Sequence, residues 1–190
     1  MSTLLKRAYN YLDDNFECVR SIRRKCGIVR VKGVFEAECR DKDGNVKWKA
    51  KALNGSTNFG LQSFLENFFR ASSNQTPWYI SLVGATSYTT GFAVGDTSAS
   101  HGGWAEFTNY SAGNRVAWGP AAAANGVITN TVAVAFTMTA GETLKGFFCI
   151  NQNTKGGTTG VLWATALFAT GDQVVVSTDV VNVTYTITLS

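Results

Sequence analysis

The sequence predicts a mainly β protein: an antiparallel β-sandwich or jelly-roll-like domain, with an N-terminal helical and hairpin arm and one short amphipathic helix. From residue 77 onward, apolar and polar residues alternate over short segments, the pattern of strands with one buried face. Glycine- and asparagine-containing stretches separate these segments. The chain has 190 residues, 45% of them hydrophobic, which is enough for one domain with a real core. We expect a basic arm over residues 1–32, made of a helix and a linker, and a β-domain over residues 33–190.

The arm is predicted from an apolar stripe followed by a basic run. Residues 1–32 carry eight Lys and Arg against three Asp and Glu, a net charge of +5. In one interpretation the stripe packs on the protein's own core and the basic residues are solvated; in the other, the arm grips an acidic partner. The stripe has helical spacings of 4, 3, 4 and 3, and its members are Leu5, Tyr9, Leu12, Phe16 and Val19. The candidate partner contacts of the arm are Leu5, Leu12, Phe16, Arg20, Arg23, Arg24 and Lys25.

A hairpin and a helix are predicted next. Over residues 34–52, apolar residues alternate with charged ones on both sides of the turn Asp41-Lys-Asp-Gly-Asn45, which predicts a β-hairpin with acidic side chains opposite basic ones. An N-cap signal in residues 54–58 then predicts a helix over residues 58–71. Its large apolar residues share one face and are expected to be structural core: Leu61, Phe64, Leu65, Phe68 and Phe69.

Seven strands are predicted beyond residue 77. The last is the clearest, because Val181, Val183 and Tyr185 alternate with polar residues, as in a half-buried antiparallel strand. The predicted strands are Trp78–Val83, Trp104–Tyr110, Asn114–Trp118, Val127–Thr139, Thr143–Ile150, Val161–Ala169 and Val174–Leu189.

Few residues are suited to catalysis. His101 is the single histidine, and no Gly-x-Ser-x-Gly elbow, phosphate-binding glycine loop or calcium loop accompanies it. Glu106 and Asp96 are possible paired carboxylates, but each is better explained as a turn or cap residue. We expect no catalytic site, no cofactor and no metal. The cysteines form no CxxC pair and are expected to be free thiols: Cys18, Cys26, Cys39 and Cys149.

The predicted partners follow from aromatic residues and charge. Trp78, Trp104 and Trp118 lie in or next to turns and are candidates for self-interface or loop-anchor positions. Few Lys and Arg accompany them, so direct nucleic-acid binding is not expected, and no apolar run approaches the roughly 18 residues that span a bilayer. From residue 53 onward only ten of 138 residues are charged, against about 25% in ordinary soluble domains. Such a surface suits a part that packs against copies of itself or a larger assembly.

Five segments, in order, carry a resemblance: Thr76–Leu82, Ala93–Glu106, Asn114–Trp118, Gly160–Phe168 and Asn182–Ile187. Together they resemble a widespread group of small virion proteins of tailed bacteriophages, over roughly residues 34–190. Gly-Asp-Thr followed by Ser-His-Gly-Gly-Trp-Ala-Glu is the most specific part. Some members are similar to head decoration, or cement, proteins. The resemblance implies no catalytic residues, and it implies as partners the major capsid protein and other copies of the chain, as a homotrimer. It implies a place in the virion capsid, after assembly in the bacterial cytoplasm.

Three other functions stay open. One is a different virion part, in the neck, tail tip or fibre base. Another is a carbohydrate-binding β-sandwich that uses Trp104 and Trp118 as stacking platforms. The third is a hydrolase that uses His101 or Glu106.

Overall fold

The computed structural model describes residues 30–70 and 77–189. The predicted arm helix and all seven candidate contacts of the arm lie outside these residues. The same holds for the last residue of the predicted helix over 58–71, and for Cys18 and Cys26.

The described residues form a mainly antiparallel β fold with one helix, which confirms the predicted class. Eleven strands in this part of the chain belong to one hydrogen-bonded sheet. The helix is α1 (Asn58–Arg70). The strands are β1 (Val31–Arg40), β2 (Val46–Ser56), β3 (Tyr79–Gly84), β4 (Glu106–Phe107), β5 (Val116–Ala117), β6 (Val127–Thr129), β7 (Val134–Thr137), β8 (Glu142–Ile150), β9 (Leu162–Phe168), β10 (Gln173–Val175) and β11 (Val180–Leu189).

The sheet folds over on itself around a shared core. Its main path runs β4-β3-β8-β9-β2-β1-β11-β6, while β5 pairs with β3, β7 with β11 and β10 with β8. In a flat sheet, β1 and β8 would lie about 14 Å apart because two strands separate them. The rings of Phe35 in β1 and Phe147 in β8 nevertheless stack with centroids 5.3 Å apart. This fold-over is consistent with a β-sandwich, and the jelly-roll connectivity stays a prediction.

Tyr185 in β11 lies at the centre of this core. Its ring stacks on Phe35 with centroids 3.9 Å apart, and its hydroxyl accepts a hydrogen bond from Trp163 Nε1 at 2.9 Å. Trp118 packs against the same ring at 5.1 Å. The predicted alternation of β11 is thus confirmed, since its apolar side faces the core.

The predicted hairpin of β1 and β2 forms, but it is longer than the predicted 34–52: β1 begins at Val31, within the predicted arm, and β2 ends at Ser56. Glu36 pairs with Lys51 and Glu38 with Lys49 across the two strands, and both pairs form salt bridges, at 2.5 and 2.8 Å. In the turn, Asp41 Oδ1 accepts hydrogen bonds from the amides of Asp43 and Asn45.

Two predicted strands are each broken in two by a polar side chain. The segment 127–139 splits into β6 and β7 because Asn130 takes over backbone partners: its Oδ1 accepts from the Tyr185 amide at 2.8 Å, and its Nδ2 donates to Val183 O at 3.1 Å. The segment 174–189 splits into β10 and β11 at a turn where Asp179 Oδ2 accepts from the Val176 amide. The alternating pattern does not reveal either interruption.

The predicted strands over 104–110 and 114–118 are also too long. Only Glu106–Phe107 and Val116–Ala117 pair as strands, as β4 and β5. The neighbouring backbone makes isolated hydrogen bonds instead of a continuous ladder, such as Gly84 N–H to Ala105 O at 3.3 Å and Trp118 N–H to Trp78 O at 2.9 Å.

Helix α1 begins at the predicted N-cap region and rests on β9 through a narrow face. Thr57 Oγ1 accepts from the Gly60 amide at 2.9 Å and donates to Leu162 O at 2.5 Å, which ties the helix start to β9. A Cβ at Gly60 would lie 2.6 Å from Trp163 O, so glycine is needed for this close approach.

The expectation that five apolar residues of this helix are core is wrong for four of them. Phe64 packs against the core, with its ring 6.4 Å from that of Trp163. The other four are exposed because the contact with β9 covers only the side of α1 that carries Gly60 and Phe64. They are Leu61, Leu65, Phe68 and Phe69.

Candidate functional site

The most exposed apolar side chains of the described chain include those of α1. We call Leu61, Leu65, Phe68 and Phe69 the outer α1 face. Phe68 and Phe69 are 72% and 73% exposed, and their rings contact each other at 4.9 Å. Single exposed apolar residues are common, but a contiguous cluster of large ones marks an interaction site.

A second apolar patch lies on the sheet near the start of α1. Leu53 in β2 and Leu167 in β9 are direct cross-strand partners, and both side chains are exposed. Val94 is 66% exposed, and its carbonyl accepts a hydrogen bond from the Asn58 amide at 2.8 Å. This bond places Val94 beside the first turn of α1, so apolar surface flanks the helix at that end.

A third feature is an apolar groove of about 390 Å³ between α1 and the sheet. We call it the α1 groove. Asn67 also borders it, and the buried Oδ1 of Asn67 has no hydrogen-bond partner among the described residues. The side chains and backbone that line the groove include Val31, Phe64, Trp78, Trp118, Val127 and Trp163.

The three candidate tryptophans have different environments. Trp104 and Trp118 are buried and act as loop anchors: Trp104 Nε1 donates to Asp96 Oδ2 at 2.9 Å, and Trp118 Nε1 donates to Tyr185 O at 2.9 Å. Trp78 is half-buried and borders the α1 groove. Since Trp104 and Trp118 are 5% and 4% exposed, neither offers an open ring face for stacking on a sugar.

The most prominent polar cluster is built around Glu106 and Arg115. Their side chains are 6% and 3% exposed, and they form a bidentate pair at 3.0 and 2.8 Å. Glu106 also accepts from Ser81 Oγ and from the Gly156 amide, while Arg115 donates to Gln152 O and Gly157 O. Each carboxylate oxygen therefore already accepts two hydrogen bonds, and the cluster ties β3 and β4 to the loop over residues 151–160.

Tyr110 and Lys155 lie beside this cluster. Burial raises the pKa of the Tyr110 phenol, whose hydroxyl is 3.2 Å from Ser81 Oγ. Burial also lowers the pKa of Lys155, whose ammonium lies 3.7 Å from the centroid of the Tyr110 ring and donates to Tyr110 O at 2.7 Å. These contacts fasten the 151–160 loop to the segment after β4.

His101 and Asp96 are parts of the neighbouring loop. The His101 ring stacks on Trp104 with centroids 4.0 Å apart, and its Nδ1 lies 3.2 Å from Trp104 O. Asp96 Oδ2 accepts from the Ala93 amide and from Trp104 Nε1. Asp96 thus has the turn role expected of it. No group of three metal-ligating side chains occurs within residues 30–70 and 77–189.

Both cysteines in the described chain, Cys39 and Cys149, are free and buried, as predicted for Cys39. Burial is the main cause that raises the pKa of Cys39 to about 12, and it raises that of Cys149 further. Both thiols are therefore neutral and unreactive at neutral pH.

The outer α1 face and the α1 groove were missed by sequence reasoning. At 100° per residue, the large apolar residues of α1 cover an arc of about 140°, from Phe64 to Phe69. A helix that rests on a sheet through a glycine buries a narrower arc. An arc of about 140° is also compatible with a stripe that faces the core, so the sequence alone does not reveal the second contact.

Comparison of the chain with protein-family models and with curated proteins gives no match. Among the described helices, none is long and apolar enough to cross a membrane.

Proposed function

We propose that this chain is a structural protein of a tailed-bacteriophage virion, and within that class a head decoration protein that binds and stabilises the capsid shell. The observation that carries the proposal is the outer α1 face, where large apolar side chains of one helix are exposed to solvent. A surface of this kind is suited to a protein interface and not to a small polar substrate.

The charge distribution supports an assembly role. Residues 1–52 carry a net charge of +6 and residues 53–190 a net charge of −2, with only ten charged side chains in the second part. Few charged groups would therefore need to be desolvated when the β-domain packs against a neighbour. The basic arm offers a complementary surface for an acidic shell.

The resemblance supplies the specific partner. It covers the β-domain. The proteins that this chain resembles are small phage virion proteins, and some of them are similar to head decoration proteins. In this role the chain binds the major capsid protein and other copies of itself, as a homotrimer, and many copies act together through avidity. No chemical step is assigned to the protein.

The proposal is tested by binding to shells. Empty capsids that lack the decoration protein are incubated with the purified chain, and co-sedimentation is measured as a function of concentration. A variant with Leu65, Phe68 and Phe69 each replaced by Ser is expected to lose most of its binding, because the apolar contact area is removed.

A matched control replaces three exposed valines elsewhere, Val132, Val174 and Val176, each by Ser. This control should sediment with capsids like the unmodified chain. If the unmodified chain does not bind shells, the decoration role is wrong. If both variants bind equally well, the outer α1 face is not the contact.

A further inference from the structure

The α1 groove is an apolar surface that no described residue covers. Three of its lining residues are tryptophans, Trp78, Trp118 and Trp163, and water at such a surface is unfavourable. Asn67 also borders this groove, but its Oδ1 is itself buried, so the apolar lining is the feature that calls for an occupant. The groove therefore has the features of a site whose occupant is another segment or protein.

The first strand of the described chain begins at this groove. Val31, the first residue of β1, lines the groove, so the chain before it begins at the rim. The ten residues 20–29 reach at most about 35 Å when extended. Residues 5–19 are thus tethered close to the groove, at an effective concentration far above that of any free partner.

The apolar stripe of the arm matches the groove in length and chemistry. As a helix, residues 5–19 would be about 22 Å long, and the 13 residues of α1 span about 20 Å. Two helices lying side by side bury their apolar stripes against each other at 8–10 Å between axes.

We propose that the apolar stripe of the chain's own arm, residues 5–19, occupies the α1 groove as a helix alongside α1. Leu5, Leu12 and Phe16 then face the groove, and the basic run Arg20–Lys25 stays outside it. The arm then has two functions. Its stripe completes the apolar core, and its basic run binds an acidic surface. The proposal does not depend on the virion role.

Site-specific photo-crosslinking tests the proposal in the full chain. A benzophenone-bearing phenylalanine analogue replaces Phe16 on the stripe or, as the matched control, Tyr11 on the opposite side of the predicted helix. After irradiation, mass spectrometry identifies the crosslinked peptides. The probe at Phe16 should crosslink to residues 60–67 and 120–128, which line the groove, and the probe at Tyr11 should not.

Isotope labelling shows whether the arm in the groove belongs to the same chain or to a second copy. Equal amounts of unlabelled and ¹⁵N-labelled chains are mixed under conditions that allow subunit exchange and then irradiated. The proposal predicts crosslinks within single chains only. Mixed-isotope crosslinks would show that the groove holds the arm or a surface of a second copy. Crosslinks from Phe16 solely to residues outside the groove would likewise overturn the proposal.

A pair of substitutions gives an independent readout. Leu12→Asp with Phe16→Asp puts two charges on the stripe, and Asn10→Asp with Tyr11→Asp puts the same charges off the stripe. Only the first variant should expose the groove and raise the fluorescence of the apolar dye ANS several-fold. Equal dye binding by the two variants would contradict docking of the stripe.

Discussion

At the residue scale, the ion pair of Glu106 and Arg115 is the strongest polar feature of the β-domain. Both side chains are almost completely buried, and their hydrogen bonds join two strands to the 151–160 loop. The pair of Glu36 and Lys51 on the hairpin is its natural comparison, since its side chains are 51% and 70% exposed. Both pairs join a carboxylate to a basic side chain, but the first pair is buried and the second is exposed to solvent.

We predict that Arg115→Met lowers the free energy of unfolding by about 3–5 kcal/mol, because it leaves the Glu106 carboxylate buried without its counter-charge. The control Lys51→Met, in the exposed pair, should change the free energy of unfolding by less than about 1 kcal/mol. Urea titration followed by tryptophan fluorescence measures both values. Equal effects in the two variants would show that the buried pair has no structural role.

The buried thiols and phenols predict a pH dependence. Burial raises the pKa of Cys39 from 9.0 to about 12, and it also raises the pKa values of Cys149, Tyr110 and Tyr185. Between pH 9.0 and about 12, the unfolded chain releases the Cys39 proton while the folded chain keeps it. Stability is therefore fully present below pH 9.0 and falls as the pH rises through this window.

The free energy of unfolding is measured by urea titration at a series of pH values from neutral upward. Cys39→Ala removes one of the contributing groups, so its loss of stability with rising pH should be less steep than that of the unmodified chain. Stability that rises in this window, or an unchanged slope in Cys39→Ala, would contradict the assignment.

At the element scale, α1 is held by its first turn, by Gly60 and by Phe64, and its outer face is not covered by any described residue. Thr57 connects the helix start to β9 through two hydrogen bonds. The helix therefore presents its outer face from a fixed position on the sheet. The N-cap at Thr57 therefore fixes the position of the outer α1 face on the sheet.

We predict that Thr57→Ala lowers the free energy of unfolding by about 1–2 kcal/mol, because the Gly60 amide loses its acceptor. Thr57→Ser keeps the hydroxyl and should cost much less. The same urea titration distinguishes the two variants, and hydrogen exchange shows whether the loss is local to α1. Equal stability of Thr57→Ala and the unmodified chain would mean that the cap is not needed.

Periodicity predicted most of the elements but not their interruptions. The hairpin, α1, β8, β9 and β11 follow local patterns of apolar residues and turn signals, so the sequence contains the information for them. The break at Asn130 depends on a partner far along the chain, Tyr185, and Asp179 at the other break binds the distant Lys47 in addition to the nearby Val176 amide. No local pattern contains such pairings.

At the scale of the whole molecule, long-range folding decides which apolar residues are exposed. The sequence predicted that the large apolar residues of α1 are core, and their helical spacing is correct. Their exposure depends on what β9 covers, which follows from the topology of the sheet and the close approach at Gly60. For the same reason Trp104 and Trp118, expected near turns, are buried anchors. The candidate surface therefore became visible only with the tertiary structure.

The β-domain is poor in charged residues, and the outer α1 face is exposed on it. The proposal that the chain decorates a phage head is tested most directly by a copy count in purified virions. Labelled standard peptides and mass spectrometry give the ratio of this chain to the major capsid protein. For a decoration protein we expect a copy number of the same order as that of the capsid protein. A few copies per particle, as for a neck or tail part, or none at all, would contradict the proposal.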